Sequence, residues 1–351
     1  MIEVVTPGPY ATVQDLGRPG HAHLGVPRSG AADAPSLRLA NRLVGNGETL
    51  AGIELTFGGA RLRFHDGAWA ALTGAPLVAA SVETSGARAV GTPRTSDARA
   101  VGMRESPAAR ALGVTEASST PALGVTEASS TPALGVTEAS STPALDLTEA
   151  SGRRAVGMGA PFWVPAGGEL RLGAPRWGLR TYVAVRGGIA VEPVLGSRST
   201  DSLSGLGPEP LRAGTLLPVG RPEGVISVDL APPPGPRPAV VRVLPGPRDD
   251  WFVPEAMAEL CARPYQVTPD SNRVGVRLRG PRLERAKDGE LPSEGMVTGA
   301  VQVPPSGQPI VFLADHPPTG GYPVIGVVPE ADLPVIAQLR PGEEVRFTTR
   351  P

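Results

Sequence analysis

Cysteine, lysine and aromatic residues are scarce in this chain of 351 residues. The single cysteine, Cys261, excludes an internal disulfide, and four histidines without further cysteines give no pattern for a structural zinc site. Lys287 is the one lysine among 33 basic residues. A nucleotide-binding P-loop needs Gly-Lys-Ser or Gly-Lys-Thr, so this class of ATP site is excluded from the chain.

Strong net charge and long apolar runs are also missing. The formal net charge is -1, which leaves no electrostatic basis for binding nucleic acid or an anionic membrane. No apolar run approaches the roughly 18 residues of a membrane-spanning helix. The first residues, MIEVVTPGPYATV, do not have the pattern of a signal peptide. The sequence therefore predicts a cytoplasmic protein that binds neither nucleic acid nor a membrane.

Residues 111–143 are three identical units of ALGVTEASSTP, followed by a broken fourth copy. Each unit carries a proline and a glycine, which cost about 3 and about 1 kcal/mol inside a helix, and it has too little apolar surface for a β-solenoid. We interpret the segment as a disordered, low-complexity insertion covering about residues 86–152. The sequence RAVG lies on both sides of it, so removing the insertion would leave a short hairpin between two strands.

Outside the insertion, alternation of apolar and polar residues predicts many short strands. This alternation occurs at Ile53, Leu55 and Phe57, at Leu62 and Phe64, at Leu170 and Leu172, and at Val274, Val276 and Leu278. Helical spacing is limited to residues 34–46, 250–260 and 332–339. The chain is therefore predicted to be mainly β, with a few short helices.

The two halves of the chain resemble each other, which indicates a duplicated β domain. IEVVTPGPYATVQD at the start resembles VRVLPGPRDDWF from Val241, and VPAGGELRLG from Val164 resembles VPPSGQPIVFL from Val303. We predict one closed domain at residues 1–230, a proline-rich linker at 231–238 and a second domain at 239–351.

Four longer segments resemble one known protein family. They are VQDLGRPGHAHLGVPRSGAAD (13–33), GSRSTD (196–201), SNRVGVRLRGP (271–281) and ELPSEGMVTGAVQVPPSGQPIVFLADHPPTGGYPVIGVV (290–328). Together they resemble the C component of bacterial 5-oxoprolinase. This is the KipA-like family, also called allophanate hydrolase subunit 2, which includes the carboxyltransferase region of urea amidolyase.

The resemblance implies two cyclophilin-like β-barrel domains and a heteromeric enzyme. In that enzyme the chain works with a KipI-like B component and an A component to open 5-oxo-L-proline to L-glutamate with ATP hydrolysis. Phosphorylating the lactam oxygen would activate a stable amide, with ATP bound by the partner components or shared between them and this chain. Two alternatives stay open. One is a carboxyltransferase component that accepts carboxyl from biotin on another chain, and the other is a KipA-like antagonist of a kinase inhibitor.

The polar turn ADHPPTGGYPV holds the strongest catalytic candidate. His316 has a side chain suited to acid–base work near neutral pH, Asp315 is predicted to orient it, and Glu294 is predicted to face the same pocket. Arginine forks, hydroxyls and glycine turns in the other segments suit a carboxylate or phosphate. The predicted substrate- or nucleotide-binding residues are Arg28, Ser29, Asp33, Arg198, Ser199, Asp201, Asn272, Arg273, Gln302, Thr319, Gly320, Gly321 and Tyr322.

Several of these residues have a purely structural alternative. Asp33 precedes a predicted helix and is placed to cap it, and the cluster at residues 196–201 can fold into a turn that satisfies its own polar groups. His21 and His23 form a pair without a third metal ligand, so we predict solvated or hydrogen-bonded histidines there and no metal site.

Overall fold

The chain folds around two separate hydrophobic cores. A computed structural model describes residues 1–84 and 152–350, apart from residues 234, 237 and 290. One core is formed by residues between Ile2 and Leu217, and the other by residues between Val241 and Phe347. The low-complexity insertion predicted at 86–152 lies outside the described residues, except for its last residue.

The first half contains eleven strands among its described residues. They are β1 Ile2–Thr6, β2 Tyr10–Gln14, β3 Gly52–Thr56, β4 Arg61–Phe64, β5 Ala68–Gly74, β6 Ala80–Glu83, β7 Arg153–Ala155, β8 Pro161–Val164, β9 Glu169–Leu172, β10 Arg180–Val185 and β11 Leu216–Leu217. One antiparallel sheet has the order β11-β1-β4-β9-β6-β7, and the other has the order β2-β3-β10-β5-β8. The first core lies between them, because alternate side chains of both sheets point inward.

The second half contains the remaining strands. They are β12 Val240–Arg242, β13 Leu244–Pro245, β14 Tyr265–Val267, β15 Gly275–Arg279, β16 Glu294–Gly295, β17 Ala300–Gln302, β18 Ile310–Phe312, β19 Thr319–Gly320, β20 Val324–Val327 and β21 Glu344–Thr348. Eight of them enclose the second core in the order β12-β21-β14-β15-β18-β17-β20-β13, and β16 pairs with β19 in a separate hairpin. The two end strands of the large sheet are separated in sequence only by Val243, so the sheet curls round toward a barrel.

Three short helices accompany the sheets: α1 Ala34–Leu43, α2 Ala256–Ala262 and α3 Leu333–Ala337. The longest, α1, buries Leu37, Ala40 and Leu43 against the first half, as its helical spacing predicts. The predicted fold class, mainly β with few short helices, is confirmed. Within the described residues, every helix is too short or too polar to span a lipid bilayer.

Two local predictions were wrong. Phe57 does not continue the strand of Ile53 and Leu55, because its backbone turns into the left-handed region with φ 61° and its side chain is 36% exposed. The segment 250–260 is not one helix. A 3₁₀ turn at Asp249–Trp251 ends in extended backbone at Phe252, and α2 starts only at Ala256. Pro254 lies between them and disfavours helical backbone at the residue before it.

The strands on either side of the insertion pair directly with each other. β6 and β7 are antiparallel neighbours, with Ser81 opposite Ala155, and the Thr84 amide donates to the Gly152 carbonyl at 3.0 Å. The hairpin predicted from the flanking sequence is therefore confirmed. A long connection is tolerated there because the closure entropy grows only logarithmically with loop length.

Two glycines allow the loops before α1 to pack together. A Cβ atom on Gly17 would lie 2.5 Å from the carbonyl oxygens of Arg28 and Ser29, and one on Gly30 would lie 2.8 Å from the Gly17 nitrogen. Both glycines have positive φ, which other residues adopt at a cost. This close approach fixes the position of Ser29, which lies beside the cavity described next.

Candidate functional site

A cavity of about 790 Å³ lies where the two halves meet. Its walls come from residues 16–38 of the first half and residues 296–334 of the second, and we call it the junction cavity. Most of its lining is apolar. The polar or charged residues that line it are Arg28, Ser29, Arg38, Thr298, His316 and Glu330. Its volume is in the range typical of small-molecule sites.

A buried arginine joins the two halves beside this cavity. Arg273, 3% exposed, donates from Nε and Nη2 to the two carboxylate oxygens of Asp315 at 2.9 and 3.0 Å. Its Nη1 donates to Glu54, which lies on β3 of the first half, and Nη2 also donates to the Gly30 carbonyl at 2.6 Å. All three charged groups are almost fully buried, so each depends on the others for compensation.

The buried carboxylates remain ionised because cations surround them. Burial alone would raise the pKa of Glu54, but the charges of Arg273 and Arg180 outweigh burial and lower it. Burial likewise opposes the ionised form of Asp315, and Arg273 lowers that pKa again. The Tyr182 hydroxyl donates to Glu54 at 2.8 Å. Burial, followed by the Glu54 charge, raises the pKa of Tyr182, so the phenol stays neutral as a hydrogen-bond donor.

Ser29 has a structural role at the edge of the cavity. Its backbone is left-handed, with φ 53°, a strained conformation for a residue with a side chain. Its hydroxyl lies 2.8 Å from Asp315 Oδ1 and 3.0 Å from the Thr200 carbonyl, so its one proton is directed to acceptors within the protein. In this geometry the Ser29 hydroxyl has no further proton for a ligand, although the residue lines the cavity.

His316 lines the cavity, but Asp315 does not orient its ring. The ring Nδ1 lies 2.8 Å from the Pro317 carbonyl, which can only accept, so Nδ1 carries the proton and Nε2 is the basic atom. The Asp315 carboxylate is instead occupied by Arg273, Ser29 and Ser202. Burial lowers the pKa of His316, although the Pro317 hydrogen bond opposes this, and the neutral ring is favoured at pH 7.

Asp33 caps helix α1 and is held by the other half. Its carboxylate accepts from the Ser36 amide at 3.1 Å and from the Ser36 hydroxyl at 2.7 Å. Gln338 Nε2 donates to the same carboxylate at 2.7 Å, and Gln338 Oε1 accepts from the amides of Leu179 and Arg180. Asp33 therefore also connects the two halves, and its oxygens accept hydrogen bonds from protein donors, as the capping alternative predicts.

The polar residues of the GSRSTD segment are bonded to other residues of the first half, and none of them lines the junction cavity. Ser199 donates to Asp15 at 2.6 Å, and the Arg198 amide donates to the same carboxylate at 2.6 Å. The Arg198 side chain donates to the Val191 carbonyl at 2.8 Å. Asp201 accepts from the Ser204 hydroxyl at 2.6 Å. These contacts are structural, but only that of Asp201 is local, because the acceptor for Ser199 and for the Arg198 amide is Asp15 in a distant segment.

Glu294, Thr319 and Gly320 lie on the β16–β19 hairpin, outside the cavity lining. Glu294 accepts a bidentate ion pair from Arg248, with Nε 2.9 Å from both oxygens, and this hydrogen bond lowers the pKa of Glu294. A carboxylate held in this way is a poor proton acceptor. Gly320 lies opposite Glu294 in the hairpin, and Thr319 is exposed.

The remaining predicted residues do not line the cavity. Gln302 is buried, and its Nε2 donates to the Tyr322 carbonyl at 3.1 Å. Gly321 precedes Tyr322, whose side chain is 42% exposed. Asn272 is exposed, and its Oδ1 accepts from the Val274 amide at 2.8 Å, which makes a local turn. Of the predicted site residues, the cavity lining thus includes Arg28, Ser29 and His316.

Metal ligation has no support in the part of the chain that the structure describes. No group of three or more histidine, cysteine, aspartate and glutamate side chains is arranged to hold a metal ion among the described residues. His21 lies just before an exposed 3₁₀ turn at Ala22–Leu24, and His23 lies within that turn.

Several residues that shape this region were not predicted from the sequence. Glu54 gave a usable signal, because one carboxylate inside the apolar strand GIELT must find a partner when that strand is buried. Gln338 and Glu330 gave no such signal, since both lie beside ordinary short helical segments. The importance of Gln338 depends on contacts with Asp33 and Arg180, which are far from it in the sequence, and that of Glu330 depends on the cavity that it lines.

The sequence profile of the carboxyltransferase domain, subdomain A and B, matches residues 24–96 and 125–349. The chain belongs to this family. It is 33% identical to the C component of 5-oxoprolinase from Escherichia coli (strain K12) over 99% of this chain and 90% of that protein. It is 29% identical to urea amidolyase of Lachancea kluyveri over 98% of this chain but only 17% of that protein. The family resemblance found in the motifs is confirmed.

A solved structure supports the same assignment. The crystal structure of TTHA0988 aligns with a TM-score of 0.71 and 33% identity, covering 99% of this chain and 55% of that one. The chain therefore spans about half the length of TTHA0988, and it matches a small part of urea amidolyase.

The buried network predicts a large loss of stability when its arginine is removed. Arg273→Leu leaves Glu54 and Asp315 buried without their main counter-charge, so we expect a loss of about 3–5 kcal/mol in the free energy of unfolding, measured by urea denaturation. Arg242→Leu is the matched control, since it breaks a two-point pair with Asp332 at a site where the arginine is 41% exposed. Similar losses in both variants would contradict the role given to Arg273.

Proposed function

We propose that this chain is the C component of a heteromeric, ATP-dependent 5-oxoprolinase, which opens 5-oxo-L-proline to L-glutamate. The observation that carries the proposal is the extent of the similarity to the C component of E. coli 5-oxoprolinase, which includes 90% of that protein at 33% identity. The match to urea amidolyase includes only 17% of its length. By this proposal the chain acts with two partners, the KipI-like B component and the A component.

The chemistry of the junction cavity is compatible with a small anionic lactam. Arg28 is exposed at the cavity and has no ion-pair partner among the described residues, so its guanidinium is available for the ring carboxylate. The apolar walls suit the ring methylenes. His316 presents a neutral imidazole whose Nε2 can accept a proton from attacking water or a hydrogen bond from the substrate.

The residues of the cavity do not fit a nucleoside triphosphate. Arg38, the other arginine there, donates to Glu48 at 3.1 Å, and Glu330 would repel a phosphate. Lys287 pairs with Asp250 away from the cavity. We therefore assign ATP binding in this proposal to the partner components or to a site completed by them.

A second function is favoured by the family itself. The chain matches the carboxyltransferase domain and the urea amidolyase sequence, so the same cavity is a candidate for transferring carboxyl from biotin carried by another chain to a small acceptor. An assay with a biotin carboxylase and carrier from the same organism tests this alternative directly.

We expect the chain, co-purified with its A and B partners, to form glutamate and phosphate from 5-oxoproline and ATP. Both products are measured together, and complexes that lack this chain serve as the control. If the three components are folded and associated but release no glutamate from 5-oxoproline, the proposed function is wrong.

The rate should depend on pH through His316. Because burial lowers its pKa below the usual 6.5, the neutral form predominates at pH 7, and kcat/KM should stay level there and fall as the pH drops through that lowered pKa. His316→Gln should lose roughly 100-fold or more in kcat, the typical contribution of a general base. His65→Gln, at an exposed position, is the control. Wild-type turnover by His316→Gln would remove His316 from the reaction.

A further inference from the structure

Two side chains of opposite charge reach the junction cavity without a partner in the protein. Arg28 and Glu330 both line the cavity and are exposed. Among the described residues, neither side chain makes a hydrogen bond or an ion pair. Arg38 differs, because Glu48 already binds it at 3.1 Å, and His316 differs because its ring is held neutral by burial. Within the described part of the chain, the cavity therefore offers one free cation and one free anion between mostly apolar walls.

These two charges come from different halves of the molecule. Arg28 belongs to the loop before α1 in the first half, and it precedes the constrained Ser29. Glu330 is the first residue of a 3₁₀ turn, Glu330–Asp332, that leads into α3 in the second half. Asp332 is already bound to Arg242, so Glu330 is the carboxylate of this turn that remains available. A ligand in the cavity can thus be held from both halves at once.

One cation and one anion that line the same cavity suit a ligand that carries both a carboxylate and a nitrogen donor. We infer that Glu330 recognises the nitrogen of the ligand. Its carboxylate accepts a hydrogen bond from the lactam N–H of 5-oxoproline and then forms an ion pair with the ammonium group of the ring-opened product. Arg28 holds the carboxylate in both states. This inference rests on the proposed function and adds to it a specificity-determining residue.

The bound substrate and the bound product interact differently with Glu330. In the net ring opening, the C–N bond breaks, the oxygen of one water molecule joins the carbonyl carbon, and both hydrogens of that water end on the nitrogen. The neutral N–H becomes a charged ammonium, while a new carboxylate forms at the other end. A carboxylate partner gains an ionic interaction in this change, and a neutral acceptor does not.

The side chain at position 330 should therefore affect the substrate and the product differently. Glu330→Gln keeps an oxygen that accepts the lactam N–H but loses the charge. Glu330→Ala loses both. Glu344→Gln, at an exposed position on β21 in the same half, is the matched control.

The experiment is calorimetric titration of the full chain with three probes: 5-oxo-L-proline, L-glutamate, and 5-oxotetrahydrofuran-2-carboxylate, the lactone with oxygen in place of the N–H. For the wild type we expect the lactone to bind about tenfold more weakly than the lactam, because the bound lactone displaces water from the carboxylate without giving it a donor. Glu330→Gln should weaken glutamate about tenfold and the lactam less than about threefold. Glu330→Ala should bind lactam and lactone equally.

The inference is overturned if Glu330→Gln weakens all three ligands alike, if lactam and lactone bind the wild type equally, or if none of the probes binds the wild-type chain. Turnover by the assembled complex is a separate readout. If the complex turns over 5-oxoproline but the Glu330 variants bind the three probes in the same order and with the same affinity ratios as the wild type, this inference is wrong and the proposed function stands. Absence of turnover in a folded complex rejects the proposed function.

Discussion

The charge of Arg273 is the constraint on which the arrangement of the two halves depends. A guanidinium cannot lose its proton in a protein, so burying it requires counter-charges in fixed positions. The first half supplies Glu54 and the Gly30 carbonyl, and the second half supplies Asp315. Each half has one buried ion pair of its own, Glu54 with Arg180 in the first half and Arg273 with Asp315 in the second. Arg273 also pairs with Glu54, so the halves are matched through one buried network to which each contributes a cation and an anion.

The junction cavity is a consequence of this matching. Asp315 also accepts hydrogen bonds from the hydroxyls of Ser29 and Ser202. The carboxylate that binds Arg273 therefore also positions the loop that carries Arg28. At the other side of the cavity, Gln338 holds the Asp33 cap of α1. The polar residues of this region thus form two layers. The buried residues hold the cavity walls in place. Arg28, His316 and Glu330 line the cavity, where their side chains are accessible to a ligand.

The sequence predicted the fold class well, because alternating strands, capped helices and turn residues are local signals. It predicted the candidate site less well for a physical reason. A polar residue in a glycine-rich loop has the same local sequence whether it binds a ligand or an ion-pair partner in another segment. Asp33, Arg273 and Asp315 were chosen as ligand-binding or catalytic groups, and the structure places them in buried contacts. Glu330 has no unusual local context and becomes informative only because it lines the same cavity as Arg28.

Binding of the lactam in the junction cavity is directly testable, because the chain has only four histidines and one of them lines that cavity. Nuclear magnetic resonance of the imidazole rings, assigned with single His→Gln variants, follows each histidine while 5-oxo-L-proline is added to the full chain. We expect a saturable shift of the His316 ring signals and no shift at His65, which is exposed just after β4 in the first half. A His316 signal that stays unchanged at saturating 5-oxoproline would contradict binding in this cavity.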